Sequence, residues 1–128
     1  MKPTALEAYA RKWQARLVLQ NWRIEWTWAP VARLNKDASV ATVDWRVDAM
    51  YAAVVVATGR PDAEVLASIR HELLHLCLAP MVCHARNLTE ALDSRQARKI
   101  GERAFDAADE EAVLRLDRAL EDLIANGD

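Results

Sequence analysis

The sequence has few of the residues that staple small proteins covalently or that mark long loops. Its 128 residues include only three glycines, four prolines and two cysteines. Cys77 and Cys83 match no zinc-ribbon spacing, and nothing in the sequence calls for a disulfide between them. We therefore expect reduced thiols and a cytoplasmic location. No glycine–serine linker, internal repeat or low-complexity tract is present, which predicts a single domain over residues 1–128.

Long apolar runs and an excess of one charge are missing as well. The N-terminus has no apolar segment of signal-peptide length, and the longest apolar stretches are too short to cross a bilayer. The 17 basic and 19 acidic residues are interleaved, so no basic stripe forms. We therefore expect neither nucleic acid nor a membrane as the partner. A chain of this length and composition can bury a core without covalent staples.

The first segment has the period of an amphipathic helix. Thr4 and Glu7 form a capping-box pattern near its start, and we expect the helix to end near Gln20 and Asn21. Its apolar residues recur at helical spacing, namely Leu6, Ala10, Trp13 and Leu17.

Three strands are predicted to follow. Apolar and polar residues alternate over 22–28 and again over 41–47, which is the two-residue period of half-buried strands. Residues 51–57 form a β-branched run without alternation, typical of a strand covered on both faces. The short connections favour antiparallel neighbours, although the pattern does not give the direction of the third strand.

Helices are predicted for the rest of the chain. Asp62 can cap a helix that we expect to run to Ala79, where Pro80 ends it. After an irregular stretch through His84, helical periodicity resumes, and a long helix covers about residues 102–125. This order of elements predicts an α+β fold with helices packed on one face of a small sheet. The apolar stripe of the last helix consists of Phe105, Ala112, Leu116, Leu120 and Leu123.

One motif, His-Glu-Leu-Leu-His at residues 71–75, carries recognisable chemistry. His71 and His75 are four positions apart, so a helix places both imidazoles on one face, where they can bind the same cation. Zinc accepts neutral imidazole nitrogen, and a catalytic zinc site keeps one position open for water. Glu72 is rotated by about 100° from His71. It is therefore expected to act as the general base that takes the proton of that water.

The residues around this motif favour a bound metal ion as the simplest reason for two histidines and a glutamate on a buried helix. Val65, Ile69 and Leu76 surround Glu72 on the helical wheel, so the helix is apolar nearly all round and should be buried. Buried histidines beside a carboxylate cost several kcal/mol unless they are paired or bind a metal. The alternative is a chance match, in which the histidines are surface or satisfied core residues.

A third protein ligand is needed, and the last helix offers acids for it. No histidine follows at the metzincin position. Glu110 borders the apolar stripe and is favoured, because its carboxylate can point inward. Asp109 and Glu111 remain alternatives, as does a solvated helix face for each of the three. Asp106, one turn before Glu110, is a candidate for supporting the site from outside the metal's ligand set.

The arrangement resembles the small zincin-like metallopeptidases. A short HExxH helix follows three strands, and a Glu-Glu pair, Glu110 and Glu111, follows the motif by some thirty residues. This is similar to the minimal zincins of phages and prophages and, more distantly, to the ImmA/IrrE type. The resemblance covers the chain from about Trp22 to the C-terminus. It implies that His71, His75 and Glu110 bind one zinc ion and that Glu72 is the catalytic base. It also implies that a strand near the site helix binds an extended peptide.

The sequence therefore predicts a zinc-dependent metallopeptidase whose partner is a peptide or protein substrate. One rival is a non-catalytic zinc-binding module that acts in protein–protein interaction or regulation. A second rival is a metal-free structural or regulatory protein. A purely structural zinc site is usually closed by four cysteine or histidine ligands, which favours the enzyme, although the non-catalytic module remains an alternative. His84 is expected to lie at the surface, with a role in stabilising an oxyanion as the lesser alternative.

Overall fold

A computed structural model describes residues 3–30 and 40–125 of the chain. The described residues form three helices and one three-stranded sheet, which confirms the predicted α+β class. The elements in chain order are α1 (Pro3–Arg16), β1 (Arg23–Pro30), β2 (Ala41–Arg46), β3 (Tyr51–Thr58), α2 (Asp62–Glu90) and α3 (Arg95–Ala125).

The strands are arranged in the order β1-β3-β2, with β3 in the centre. β2 and β3 are antiparallel, as their short connection predicts. The antiparallel expectation is wrong for β1, which runs parallel to β3. The β-branched strand takes the centre because both of its backbone edges are then paired and its apolar side chains are the best covered. Ala52, Val54 and Val56 have no exposed surface, whereas Ala53 and Val55 are half-buried.

The two faces of the sheet differ in polarity. Ile24, Trp26 and Trp28 lie directly beside the buried residues of β3 on one face. Arg23 and Glu25 lie on the other face and are exposed. The alternation predicted for the first strand is therefore confirmed, and it leaves one face of the sheet polar.

α1 ends four residues earlier than expected, because the chain turns at Val18. The φ angle of Val18 is 57°, in the left-handed region. The amide of Leu19 donates to the carbonyl of Gln14 at 2.8 Å, and the amide of Val18 donates to that of Ala15 at 3.1 Å. These are the two bonds of a Schellman cap. At its other end α1 begins at Pro3, so Thr4 lies inside the first turn and is not the N-cap.

The expectation that α2 ends before Pro80 is wrong. The helix continues through Pro80 to Glu90. The expected irregular stretch through His84 is therefore helical. Proline removes one helical hydrogen bond and clashes with the preceding turn, at a cost of about 3 kcal/mol. A helix of 29 residues retains enough bonds and packing on either side to span one such defect.

α3 begins at Arg95 rather than near residue 102, because Ser94 caps it. The amide of Ala97 donates to the Ser94 hydroxyl oxygen at 3.2 Å, and the amide of Arg98 donates to the Ser94 carbonyl at 3.0 Å. A serine in this position satisfies a backbone donor that the helix itself leaves unpaired. The signal was present in the sequence, since Ser94 precedes the first helical residue.

The chain forms two compact units, Met1–Cys77 and Leu78–Asp128, whose boundary falls within α2. The first unit contains α1, the sheet and the first part of α2. Its buried apolar side chains include Leu6, Ala10, Trp13, Val54, Val56, Val65, Ile69, Leu73 and Leu76.

The second unit contains the remainder of α2 and the whole of α3. Within it, Gly101 lies against Thr89, and Arg86 forms an ion pair with Asp106 at 3.5 Å. The expected stripe of α3 is only partly buried. Ala112 and Leu120 are half-buried, whereas Phe105, Leu116 and Leu123 are exposed.

By length and composition α2 is also apolar enough to cross a membrane. Half of its most apolar window is buried inside the protein, and the core helices of many soluble proteins pass the same test. The expectation of no membrane partner stays a prediction.

Candidate metal centre

The first part of α2 positions all three residues of the motif. Ile69, Leu73 and Leu76 are fully or almost fully buried, so the helix is anchored in the core of the first unit along most of its circumference. His71 and His75 are half-buried, which leaves part of each imidazole accessible to solvent. This combination of a fixed backbone and accessible ring nitrogens is what a metal site requires.

The two imidazoles converge through the same ring atom. Nε2 of His71 and Nε2 of His75 are 3.2 Å apart, and the ring planes meet at 75° with centroids 4.9 Å apart. An isolated histidine side chain can rotate freely. The four-residue spacing alone therefore does not bring the two nitrogens together, and their approach depends on the rotamers that both side chains adopt in the structure.

The distance between these nitrogens fits a shared zinc ion. Zinc–nitrogen bonds of about 2.0–2.1 Å at a tetrahedral angle place two ligand nitrogens about 3.3–3.4 Å apart. The observed 3.2 Å is close to that value. A hydrogen bond between one protonated and one unprotonated Nε2 gives a similar distance, so metal binding itself is the discriminating measurement.

Glu72 is buried, with 9% of its surface exposed. It is adjacent to His71 in α2 but rotated by about 100° around the helix axis. The two imidazoles therefore meet on one face of α2, and Glu72 lies on another. This separation agrees with its expected role as a base rather than a ligand.

Arg70 is a buried charge beside the motif that the sequence analysis did not single out. Only 6% of its surface is exposed, and its guanidinium carbon lies 5.7 Å from the centroid of the Trp13 ring. Arg16 contacts the same ring at 5.2 Å. The Arg70 contact packs the first part of α2 against α1, whereas the Arg16 contact lies within α1. An arginine inside an apolar helical segment, in a chain with five tryptophans, was the signal for this contact.

The candidate third ligands lie on α3, in the second unit. Asp109 is half-buried, whereas Glu110 and Glu111 are exposed. Glu111 forms an ion pair with Arg115 at 2.6 Å, one helical turn further on. Its carboxylate therefore already has a cationic partner within its own helix. Asp106, the candidate supporting residue, is paired with Arg86.

Other polar residues named from the sequence lie elsewhere. His84 is exposed and lies on α2 rather than in a loop, nine residues after His75. The helical period turns it by about 180° from His75, which argues against the oxyanion role. Cys77 and Cys83 are both free thiols, as predicted.

No family model matches the chain, and no curated protein or solved structure matches it significantly.

Proposed function

We propose that this protein is a zinc-dependent metallopeptidase whose metal centre is built on His71 and His75. The observation that carries the proposal is the 3.2 Å separation of the two Nε2 atoms. It matches the spacing of two imidazole ligands on one tetrahedral zinc ion. Glu72, which is buried and adjacent to His71 in the sequence, supplies the carboxylate that peptide hydrolysis requires.

Glu110 completes the proposed ligand set, with one zinc ion per chain. Two imidazoles and one carboxylate are a set that can hold a metal ion, and they leave the fourth position of a tetrahedral centre open. Catalytic zinc sites have this composition, whereas structural sites are usually closed by four protein ligands. Glu110 is preferred to Glu111, because the resemblance to the small zincin-like metallopeptidases implies that the first glutamate of the pair is the third ligand.

In this proposal, metal binding and acid–base catalysis are carried out by different residues. His71, His75 and Glu110 would hold a zinc ion, which would supply the Lewis acidity that polarises a scissile carbonyl and makes water a stronger acid. Glu72 accepts a proton from the attacking water and, as the resulting carboxylic acid, returns it to the leaving amine. The substrate is a peptide or protein.

The base is tested by Glu72→Gln, which keeps the shape of the side chain and removes its basicity. We expect unchanged zinc binding by calorimetry and at least a hundredfold loss of peptide hydrolysis, in line with general-base catalysis of about 10²–10⁴-fold. A library of fluorogenic peptides supplies the substrates. Glu90→Gln is the matched control, because Glu90 is an exposed glutamate of the same helix.

The outcomes separate the proposed enzyme from its two rivals. Hydrolysis by Glu72→Gln at the rate of the parent would show that Glu72 is not the base. Stoichiometric zinc without hydrolysis of any peptide by the parent would identify a non-catalytic zinc-binding module. Failure of the parent to bind zinc would support the second rival, a metal-free structural or regulatory protein.

The third ligand is tested by three amide substitutions, each made alone. Glu110→Gln is expected to weaken zinc binding at least tenfold in calorimetric titrations, because it removes one charged ligand. Glu111→Gln and Asp109→Asn are the matched variants on neighbouring positions of the same helix and should retain the affinity of the parent. A loss confined to either of these two would move the ligand assignment to that residue.

A further inference from the structure

The polar face of the sheet carries two rows of charge that cross all three strands. In each row a residue of the central strand β3 lies between one charged residue of β1 and one of β2. The four charged side chains are exposed, and the β3 residues between them are half-buried. The basic row consists of Arg23, Tyr51 and Arg46, and the acidic row consists of Glu25, Ala53 and Asp44.

A face with this pattern is complementary to a second copy of itself. Consider a two-fold axis that lies between two such faces, parallel to the rows and midway between them. The basic row of each copy then lies over the acidic row of the other, with Arg23 opposite Glu25 and Arg46 opposite Asp44. Each strand runs antiparallel to the same strand of the second copy. Packed sheets are about 10 Å apart, a gap that arginine and carboxylate side chains can fill from opposite sides.

Only one orientation and one register match these charges. If the axis ran along the strands instead, Arg23 would face Arg46 of the second copy, and Glu25 would face Asp44. If the axis lay on either row rather than between them, that row would lie over itself. Both alternatives place like charges opposite each other, which raises the electrostatic energy. The charge pattern therefore selects a second copy as the partner and fixes its orientation.

The uncharged middle of the two rows is complementary in size. Tyr51 of each copy lies opposite Ala53 of the other, so a large side chain covers a small one twice. The ring of Tyr51 is already oriented, because the Arg23 guanidinium carbon lies 5.2 Å from its centroid and its hydroxyl donates to Glu25. Arg46 is 71% exposed despite an ion pair with a residue of the following turn, so its remaining donors can reach a second carboxylate.

We propose that the polar face of the sheet mediates self-association of this protein as a two-fold dimer, with the basic row of each copy on the acidic row of the other. The partner is a second copy of the chain, and the interface is isologous, with the same residues on both sides. Because exposed charges supply the attraction, the dimer is weakened by salt. This inference is independent of the proposed peptidase activity and of zinc.

The interface is tested by sedimentation equilibrium of the full chain. The parent is expected to dimerise at low salt, and raising the salt from about 50 mM to about 500 mM should weaken dimerisation at least tenfold. Arg23→Glu and Glu25→Arg should each have a similar effect at low salt, because each places like charges opposite each other twice. Arg11→Glu is the matched control, since Arg11 is an exposed arginine on α1. A parent that stays monomeric, a dimer insensitive to salt, or equal weakening by the control would overturn the proposal.

The register is tested by mixing charge-reversed variants. Arg23→Glu and Glu25→Arg should dimerise with each other as tightly as the parent does, because both of their altered contacts again join opposite charges. Arg23→Glu mixed with Asp44→Arg should remain weak, since residues 23 and 44 lie in different columns and each reversal keeps its own clash. Circular dichroism of each variant alone verifies the fold, and the salt titration of the parent needs no variant. Rescue by Asp44→Arg but not by Glu25→Arg would contradict the proposed register.

Discussion

His71 and His75 are brought together by the shortest-range order in the protein, the repeat of one helical turn. A spacing of four residues is enough to place two imidazoles on one face, and it can be read from the sequence without any knowledge of the fold. The rotamers that bring the two Nε2 atoms to 3.2 Å could not be read in this way. They depend on the side chains around α2, which leave both rings only half-exposed.

Burial of charged residues was harder to predict from single positions. Glu72 is buried, as its apolar neighbours predict. Glu110 was expected to point inward from the border of an apolar stripe and is exposed instead. A helical wheel gives the direction of each side chain relative to its own axis, but it does not show which side of that axis is covered. Val113 is fully buried in α3, whereas Leu116 is 42% exposed.

Tyr51 offers a titration that reports on the polar face of the sheet. Its hydroxyl donates a hydrogen bond to the Glu25 carboxylate, and this bond raises the pKa of Tyr51 above the ordinary value of 10.0. Burial and the charge of Glu25 act in the same direction, whereas the nearby Arg23 lowers the pKa. We expect Glu25→Gln to lower the pKa of Tyr51, measured from tyrosinate absorbance in the near ultraviolet. Tyr51→Phe identifies the transition, since Tyr9 is the only other tyrosine.

The same pKa shift has a defined consequence for stability. A group whose pKa is raised by folding stabilises the protein below its unfolded pKa, and that contribution is lost as the pH rises through the folded pKa. The free energy of unfolding should therefore fall with pH above about 10, the ordinary tyrosine pKa. Tyr51→Phe should flatten this fall in urea unfolding measured at a series of pH values. An identical slope in Tyr51→Phe would contradict the assignment.

At the scale of the elements, most errors of the sequence analysis concerned where helices begin and end. Pro80 is a helix breaker by local rules, yet α2 passes through it. The cost of a proline is fixed locally, whereas the packing that offsets it comes from residues distant in sequence. α1 ended early because Val18 adopts a left-handed conformation that local preference disfavours in a β-branched residue. Only the bonds from Leu19 and Val18 back to the last helical turn make this ending favourable.

The approach of α2 and α3 within the second unit depends on Gly101. A Cβ at this position would lie 2.8 Å from the Thr89 Cγ2 atom, closer than carbon atoms can pack. Thr89 is 3% exposed and donates a hydrogen bond to the Ala85 carbonyl at 2.9 Å, so it has little room to move. We expect Gly101→Ala to destabilise the protein by about 1–3 kcal/mol in urea unfolding, the usual cost of overpacking.

A double-mutant cycle isolates that contact. In a Thr89→Ala background the obstructing methyl group is gone, and Gly101→Ala should instead stabilise the protein by up to about 1 kcal/mol through helix propensity. The reversal of sign is the diagnostic result. If Gly101→Ala destabilised both backgrounds equally, the contact with Thr89 would not explain the glycine.

At the scale of the whole molecule, zinc binding links the motif to the stability of the fold. A ligand that binds only the native state at a hundredfold above its Kd stabilises it by about 2.7 kcal/mol. For a chain of this length the melting temperature should rise by roughly 10 °C. We expect this rise in thermal unfolding of the parent when zinc is added, and its reversal when a chelator is added.

Variants of single histidines make the thermal test specific. His71→Ala should abolish the increase in melting temperature, because it removes one of the two converging nitrogens. His84→Ala is the matched control, since His84 is an exposed histidine on the same helix, and it should respond to zinc as the parent does. Loss of the response in His84→Ala alone would place the metal away from the motif.

The sequence by itself determined those features that depend on a local repeat. The two-residue period defined the first two strands and the β-branched run defined the third, each to within two residues, and the four-residue spacing of the motif placed His71 and His75 on one helical face. Only the tertiary structure decided that β3 lies between β1 and β2, that α2 continues through Pro80, and that the two histidines meet through Nε2. These features depend on which distant side chains cover each residue and pair each backbone edge. A periodic pattern shows that a face is apolar, but the burial of that face depends on contacts formed only when the chain folds.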